Sequence, residues 1–245
     1  MKTKELVFPD GQILKQGSQG HDVKRVQEWL TLNGHRCGID GEFGPATRAA
    51  VNLFRGRKQF PQDGTVNGDL FTLLTLPMQM ALQPFFLKAG ATLGAGIIEA
   101  ARAHLSQRAR EVGGDNRGPW VRYYCGADGP TYYWCAGFVT RIIRQAAATM
   151  GLPCPVNMTL SCDMLAKEAK ETDRFIRGKS RLIKPGDIGL VRRVEGDWTH
   201  AFLVTKVHED HVETIEGNSN DEGSRNGFEV CERVRSYKNL DFFTL

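Results

Sequence analysis

The sequence predicts an α+β protein built from two unequal units. Three observations point there. Apolar residues recur at helical spacing through the first half of the chain, strand-like runs separated by turns fill the last third, and a stretch rich in proline and glycine interrupts the chain at 77–95. The units are read as residues 1–76, a small three-helix domain, and residues 96–245, helices followed by an antiparallel sheet. Residues 77–95 are read as a linker. A length of 245 residues fits this division at about 150 residues per domain.

The first helix is expected after Asp22 as cap, with Val23, Val26, Trp29 and Leu30 forming its apolar stripe and Gly34 ending it. The second opens at Gly44-Pro45, where proline suits the first helical position, and buries Ala46, Ala50, Val51 and Phe54. The third runs from about Asn67 and buries Leu70, Leu73 and Leu74. An internal echo connects them: Asp40-Gly41-Glu42-Phe43 precedes the second helix and Asp63-Gly64-Thr65-Val66 the third. Each Asp-Gly suits a tight turn, and each following apolar residue anchors that turn to the core.

Beyond the linker, Ile97, Ile98, Ala101, His104 and Leu105 predict a helix over about 96–112. Another begins at Cys135 and carries Phe138, Val139, Ile142, Ile143 and Ala146 on one stripe. Residues 187–191, 201–207 and 212–215 have strand composition.

Composition limits function. Hydrophobic residues make up 41% and charged residues 24%, which excludes a disordered chain. The net charge of +4 is too small to point to nucleic acid without a clustered patch, although it suits an anionic polymer. No run approaches the roughly 18 apolar residues of a membrane span. The N-terminus lacks the apolar run of about 7–15 residues found in a secretory signal, so export by that route is not expected. The six cysteines contain no C-x-x-C pair, which argues against structural zinc and for reduced thiols.

One cysteine stands in a chemically informative place. Cys135 begins a helix, where the dipole lowers a thiol's pKa. Such a nucleophile needs a histidine base and a group to orient it. His200 stands at the mouth of the strand Ala201-Phe202-Leu203-Val204, and Glu216 or Asn218, at the end of the next strand, can accept a hydrogen bond from its ring. His208 and His211 flank Glu209-Asp210 in an expected solvated hairpin turn, with no further ligand for a metal. His104 is expected to be packed, and Cys125, Cys154, Cys162 and Cys231 to be inert core or loop thiols.

The N-terminal unit resembles the three-helix peptidoglycan-binding domain family. The resemblance rests on Gly17-Ser18-Gln19-Gly20-His21-Asp22-Val23, Val26-Gln27-Glu28-Trp29-Leu30, Gly34, Asp40 through Thr47, Ala50-Val51, Phe54 and Asp63-Gly64-Thr65-Val66. Arg55 departs from it, because the family usually has glutamine after the phenylalanine.

The C-terminal unit resembles the CHAP family of cysteine- and histidine-dependent amidohydrolases and peptidases. Here the residues are Asn116-Arg117-Gly118-Pro119-Trp120-Val121, Trp134-Cys135-Ala136-Gly137-Phe138-Val139, Lys184-Pro185-Gly186-Asp187-Ile188, Thr199 through Val204 and Thr214 through Asn220. That likeness implies a papain-like fold and the catalytic order Cys135, His200, Glu216, with Asn218 supporting the site. Some relatives carry a calcium loop before the cysteine. This chain offers only Asp128 there, so no metal and no cofactor are expected.

Together the two resemblances imply a murein hydrolase cutting an amide bond, either as N-acetylmuramoyl-L-alanine amidase or as a peptide-stem or cross-link endopeptidase. Trp134, Trp198, Asp40 and Phe43 are expected to contact substrate. The expected partner is peptidoglycan, with no nucleic acid, and the expected state is a monomer. Made in the cytoplasm without a signal run, such a hydrolase reaches the periplasm as an endolysin released through a holin. The alternative is an antibacterial effector injected by contact-dependent secretion, which would have an immunity protein as a further partner. A non-catalytic cell-wall binding protein and a general cysteine protease are the rival readings.

Overall fold

The computed structural model describes residues 3–220 and 227–245. Helices α1 (His21–Leu32), α2 (Pro45–Arg57) and α3 (Gly68–Leu74) form the N-terminal unit. Val23, Val26, Trp29, Leu30, Val51, Phe54, Leu70 and Leu74 are buried in it, as their spacing predicts. Asn67 caps α3 by accepting from the Leu70 N–H. Asp22, however, is not the cap of α1. The helix starts one residue earlier, and Asp22 sits in its first turn, paired with Arg25 at 3.0 Å.

The Asp-Gly echo is structural. Asp40 Oδ1 accepts from the Glu42 N–H at 2.8 Å, and Asp63 Oδ1 accepts from the Thr65 N–H at 2.9 Å. Each turn is held from the preceding helix. Gln27 on α1 donates to Asp40 Oδ1 and to the Glu42 carbonyl, and it accepts from the Gly41 N–H. Arg55 on α2 donates to Asp63 Oδ2 and to the carbonyls of Pro61 and Thr65. Arg55 thus takes up for the second turn the task Gln27 has for the first, which accounts for its departure from the family pattern.

The segment read as a linker is partly helical. Pro77 stands in the first turn of α4 (Leu76–Ala81), where a missing N–H costs nothing, and Met78 and Ala81 are buried. The Ala81 carbonyl accepts from the Gln145 side chain at 2.7 Å. Four more helices follow: α5 (Leu93–Ser106), α6 (Pro119–Cys125), α7 (Cys135–Thr149) and α8 (Cys162–Glu171). The α5 helix ends at Ser106, six residues short of the predicted 112, and after its cap Gln107 the chain turns through Arg108 in the left-handed region.

Six antiparallel strands complete the fold: β1 (Phe175–Arg177), β2 (Ile188–Val194), β3 (Asp197–Val207), β4 (His211–Ser219), β5 (Glu229–Ser236) and β6 (Leu240–Phe243). Their order across the sheet is β1-β6-β2-β3-β4-β5. The period of two decides what each face buries. Ala201 and Leu203 of β3 join Ile188, Leu190 and Ile215 in the main core, which includes the α7 stripe. Phe202 and Val204 point the other way and form a small second core with Ile183, Val212, Leu240 and Phe242.

Arg122 on α6 ties the two units together. It pairs with Glu5 at 2.9 Å, with Glu28 of α1 at 2.6 Å and with Asp128 at 2.9 Å. Beside it Trp29 and Trp120 meet edge to face at 6.2 Å.

Candidate active site

The Cys135 sulfur sits where two helices begin. Cys135 is the first residue of α7 and Cys162 the first residue of α8, and their Sγ atoms are 3.8 Å apart. Two sets of unpaired helix N–H groups and two positive dipole ends therefore converge on one place. The hydrogen bond from the Cys162 thiol, followed by the hydrogen bond and charge of His200, holds the Cys135 thiol well below its ordinary range against the opposing effect of burial. Cys162 moves the opposite way, raised by donating to Cys135 and by burial. Cys162, expected to be a core or loop thiol, is buried and lies against the Cys135 sulfur. Its separation of 27 residues hid a contact that only the packing of α8 creates.

His200 on β3 is largely buried. Its Nε2 donates to Glu216 Oε2 at 2.8 Å, which leaves Nδ1 for the thiol. Burial alone would lower the imidazole's pKa, but the hydrogen bonds and charges of Cys135 and Glu216 raise it to about 9. Both shifts favour a thiolate beside an imidazolium. Glu216 is fully buried and also accepts from Thr214 at 2.7 Å and from both Nε and NH2 of Arg235 at 2.6 Å. Burial favours its neutral form, yet Arg235 and His200 overcome this and hold it well below the carboxylate range. A carboxylate so fully paired can be buried ionised.

Of the two residues able to orient the ring, Glu216 bonds to it. Asn218 is buried in the same cleft with positive φ, 54°, and its Oδ1 has no hydrogen-bond partner among the described residues. Gly217 between them is dictated by close approach. A Cβ there would come within 2.6 Å of Phe138 and 2.9 Å of Trp134, so any side chain would push β4 away from the start of α7.

A cleft of about 290 Å³ opens onto the sulfur, lined among others by Tyr133, Leu160, Trp198, Thr199, His200 and Asn218. Trp198 lies at its wall as expected. The ring is held by Nε1 donating to Asp241 at 2.9 Å and by the Lys170 ammonium 4.6 Å from its centre.

Trp134 is corrected. It is fully buried, stacked on Tyr124 at 5.2 Å, and donates from Nε1 to Glu111 at 2.8 Å, so its ring belongs to the core and does not line the cleft. The exposed ring at the cleft is its neighbour, Tyr133. In the N-terminal unit, Asp40 is spent on its own turn. Phe43 is buried and only borders a shallow groove formed with Gln16, Ser18, Gln19 and Glu42. The structure thus unites Cys135, His200, Glu216, Asn218 and Trp198, and leaves Trp134, Asp40 and Phe43 apart from the cleft. Arg235 and Cys162 are the participants that sequence reasoning missed.

The remaining titratable groups behave differently. His104 bonds to Tyr124 and Gln145 in the core, and burial lowers its pKa to about 4. Asp128 accepts from the Gly118 N–H and from Arg122, so its oxygens serve the inter-unit tie. His208, His211 and Glu213 form one group able to hold a metal ion, with ligand atoms within 4.8 Å of one another. They lie on the β3–β4 hairpin, where Glu213 already accepts from His208 at 2.7 Å. Glu213 is the third ligand type that the sequence reading of this hairpin lacked.

Residues 19–74 match the family described as "Putative peptidoglycan binding domain". No curated protein matches the chain. Among solved structures, the SleB N-terminal domain is 29% identical over 27% of this chain and 93% of that one, with a TM-score of 0.26. A fused Zn-dependent amidase/peptidase/peptidoglycan-binding domain-containing protein from Clostridium acetobutylicum is 38% identical over 26% of this chain and 28% of that one, with a TM-score of 0.25. A Burkholderia AP3 phage endolysin is 17% identical over 66% of this chain and 64% of that one, with a TM-score of 0.26. The chain thus spans less than a third of the Clostridium protein and just under two thirds of the endolysin. At these TM-scores the family match at 19–74 is the finding that bears on function, and it supports peptidoglycan as the partner of the N-terminal unit. No helix among the described residues is long and apolar enough to cross a membrane.

Proposed function

We propose that the chain is a peptidoglycan hydrolase of two domains, 1–76 binding murein and 96–245 a CHAP-type cysteine amidase or endopeptidase. The observation that carries the reading is the hydrogen-bonded series Cys135, His200, Glu216, Arg235, with the sulfur at two helix N-termini and open to a cleft. In this mechanism the Cys135 thiolate attacks the carbonyl carbon of an amide. The developing oxyanion is met by N–H groups of the first turn of α7, which have no partner within the helix. His200, charged and steered by Glu216, gives its Nδ1 proton to the leaving amine nitrogen as the C–N bond breaks. The neutral imidazole then takes a proton from water, which attacks the thioester and releases the acid and the thiolate. Asn218, buried at the cleft with its Oδ1 unpaired among the described residues, supports the same centre. Tethering by the N-terminal unit raises the local concentration of amide bonds around this site.

Purified murein digested with the full chain and read by mass spectrometry tests the reading. A free lactyl carboxylate together with a new amino terminus on the first stem alanine identifies amidase action, whereas new amino termini further along the stem or at the cross-link identify endopeptidase action. Binding to murein with no released fragment favours a non-catalytic wall-binding protein instead.

A further inference from the structure

The proposed mechanism needs one thiol, and the structure places two at the same spot. Cys162 and Cys135 are each the first residue of their helix, both line the cleft, and both are almost fully buried beneath its floor. The Sγ separation of 3.8 Å exceeds an S–S bond of about 2.05 Å by a distance that side-chain rotation and a small helix adjustment can close. The other four free thiols do not line this cleft: Cys154 is exposed, Cys37 belongs to the N-terminal unit, Cys231 lies on β5, and Cys125, at the end of α6, lies near enough to feel the charge of Cys135 but outside the cleft, with burial first and that charge next pushing its pKa up to about 12.

We propose that Cys162 is a resolving cysteine, so that hydroperoxides convert Cys135 and Cys162 into a reversible disulfide that switches the site off. The step is balanced as follows. The Cys135 thiolate attacks one oxygen of hydrogen peroxide, an S–O bond forms, the O–O bond breaks, and the departing hydroxide takes the His200 proton to leave as water. The Cys162 sulfur then attacks the sulfenic sulfur of Cys135, an S–S bond forms and the S–O bond breaks. The departing hydroxide takes the Cys162 proton and leaves as a second water. Two thiols lose two electrons and the peroxide gains them. A dithiol reductant restores both thiols by exchange.

The order of events follows from the sulfur contact: the Cys135 thiolate attacks peroxide, and its conversion to a neutral sulfenic acid removes the hydrogen-bond acceptor and the negative charge that hold the Cys162 proton, so Cys162 loses that proton as it attacks. The capture also has a protective consequence. Without a resolving thiol, a sulfenic acid in this cleft proceeds to the irreversible sulfinic and sulfonic acids. The chemistry requires only the sulfur pair, whereas the switching of activity rests on the hydrolase reading above.

The test uses the full chain, fully reduced, exposed to hydrogen peroxide, then alkylated and mapped by mass spectrometry. The expected result is loss of two alkylatable thiols, a mass about 2 Da lower and a peptide pair joined Cys135 to Cys162, all reversed by dithiothreitol. Murein hydrolysis should fall in proportion to the cross-linked fraction and return with it. In Cys162→Ser, checked for folding by circular dichroism, peroxide should instead place two or three oxygens on Cys135, and reductant should restore neither mass nor activity. A wild-type chain that over-oxidises Cys135 as fast as Cys162→Ser, or links Cys135 to another cysteine, overturns the proposal. A chain that forms the disulfide but releases no murein fragment at any redox state keeps the sulfur pair and removes the hydrolase reading.

Discussion

His200 and Glu216 meet across neighbouring strands at 2.8 Å, and the carboxylate that orients the ring is itself clamped by both nitrogens of Arg235 at 2.6 Å. The base of the site is therefore held by a second ion pair, whose cation comes from the far edge of the sheet on β5. This arrangement fixes the ring tautomer and keeps a negative charge under the imidazolium.

Replacing the nucleophile separates binding from chemistry. Cys135→Ala should reduce murein hydrolysis by roughly 10³-fold or more while leaving sedimentation with murein unchanged, because the N-terminal unit does not touch the sulfur. Wild-type lysis by this variant would remove the thiol mechanism altogether.

The alkaline side of the pH profile should report the imidazolium. His200's pKa is raised above its ordinary value to about 9, so the charged ring persists at neutral pH and is lost as pH rises through about 9. Since this proton goes to the leaving amine, kcat/KM should hold level from neutrality and fall above about 9, the apparent value belonging to the thiol–imidazole pair as a unit. In Glu216→Gln the ring loses its anionic partner. The fall should then begin at lower pH, with kcat reduced on the order of 10²-fold.

Arg235 is a positioning residue, and a structural role alone would not account for its expected signature. Arg235→Met leaves the buried Glu216 carboxylate one cation short, which should cost about 3 kcal/mol of stability in urea unfolding. It should also move the alkaline limb, because Glu216 then orients the ring less well. Arg235→Lys should recover much of the stability and less of the rate, since an ammonium cannot grip both oxygens as the fork does. An unmoved pH profile in Arg235→Met would confine Arg235 to holding the strand.

The parts of this site that the sequence displays are those whose surroundings are local. Cys135 announces itself by opening an apolar helix, and His200 and Glu216 by standing at the ends of strands with period-two burial. Cys162 and Arg235 are reached only through tertiary packing. α8 is short and amphipathic, and its first residue gains meaning from facing the start of another helix. β5 reads Glu-Val-Cys-Glu-Arg-Val-Arg-Ser, an edge strand so polar that composition conceals it. Trp134 misled for the converse reason. An aromatic residue beside a nucleophile resembles a substrate platform, whereas its place as the residue before α7 turns the ring into the core against Tyr124.

The tie between the two units makes the last prediction. Arg122 faces three carboxylates, Glu5, Glu28 and Asp128, and all four side chains are largely shielded from water. Their proximity holds the guanidinium charge firmly despite burial. Arg122→Met removes the only cation paired with them among the described residues, so it should destabilise the chain by about 3–5 kcal/mol, far more than a surface pair would. Because Arg122 joins α1 to α6, the loss should also open the connection between the units. Limited proteolysis should then cut within residues 82–92, and murein binding by the N-terminal unit should survive. Combining Arg122→Met with Glu28→Gln should cost less than the sum of the two single changes, since each relieves part of the imbalance the other creates. Strict additivity in that cycle would show that Arg122 and Glu28 do not act on one another across the interface.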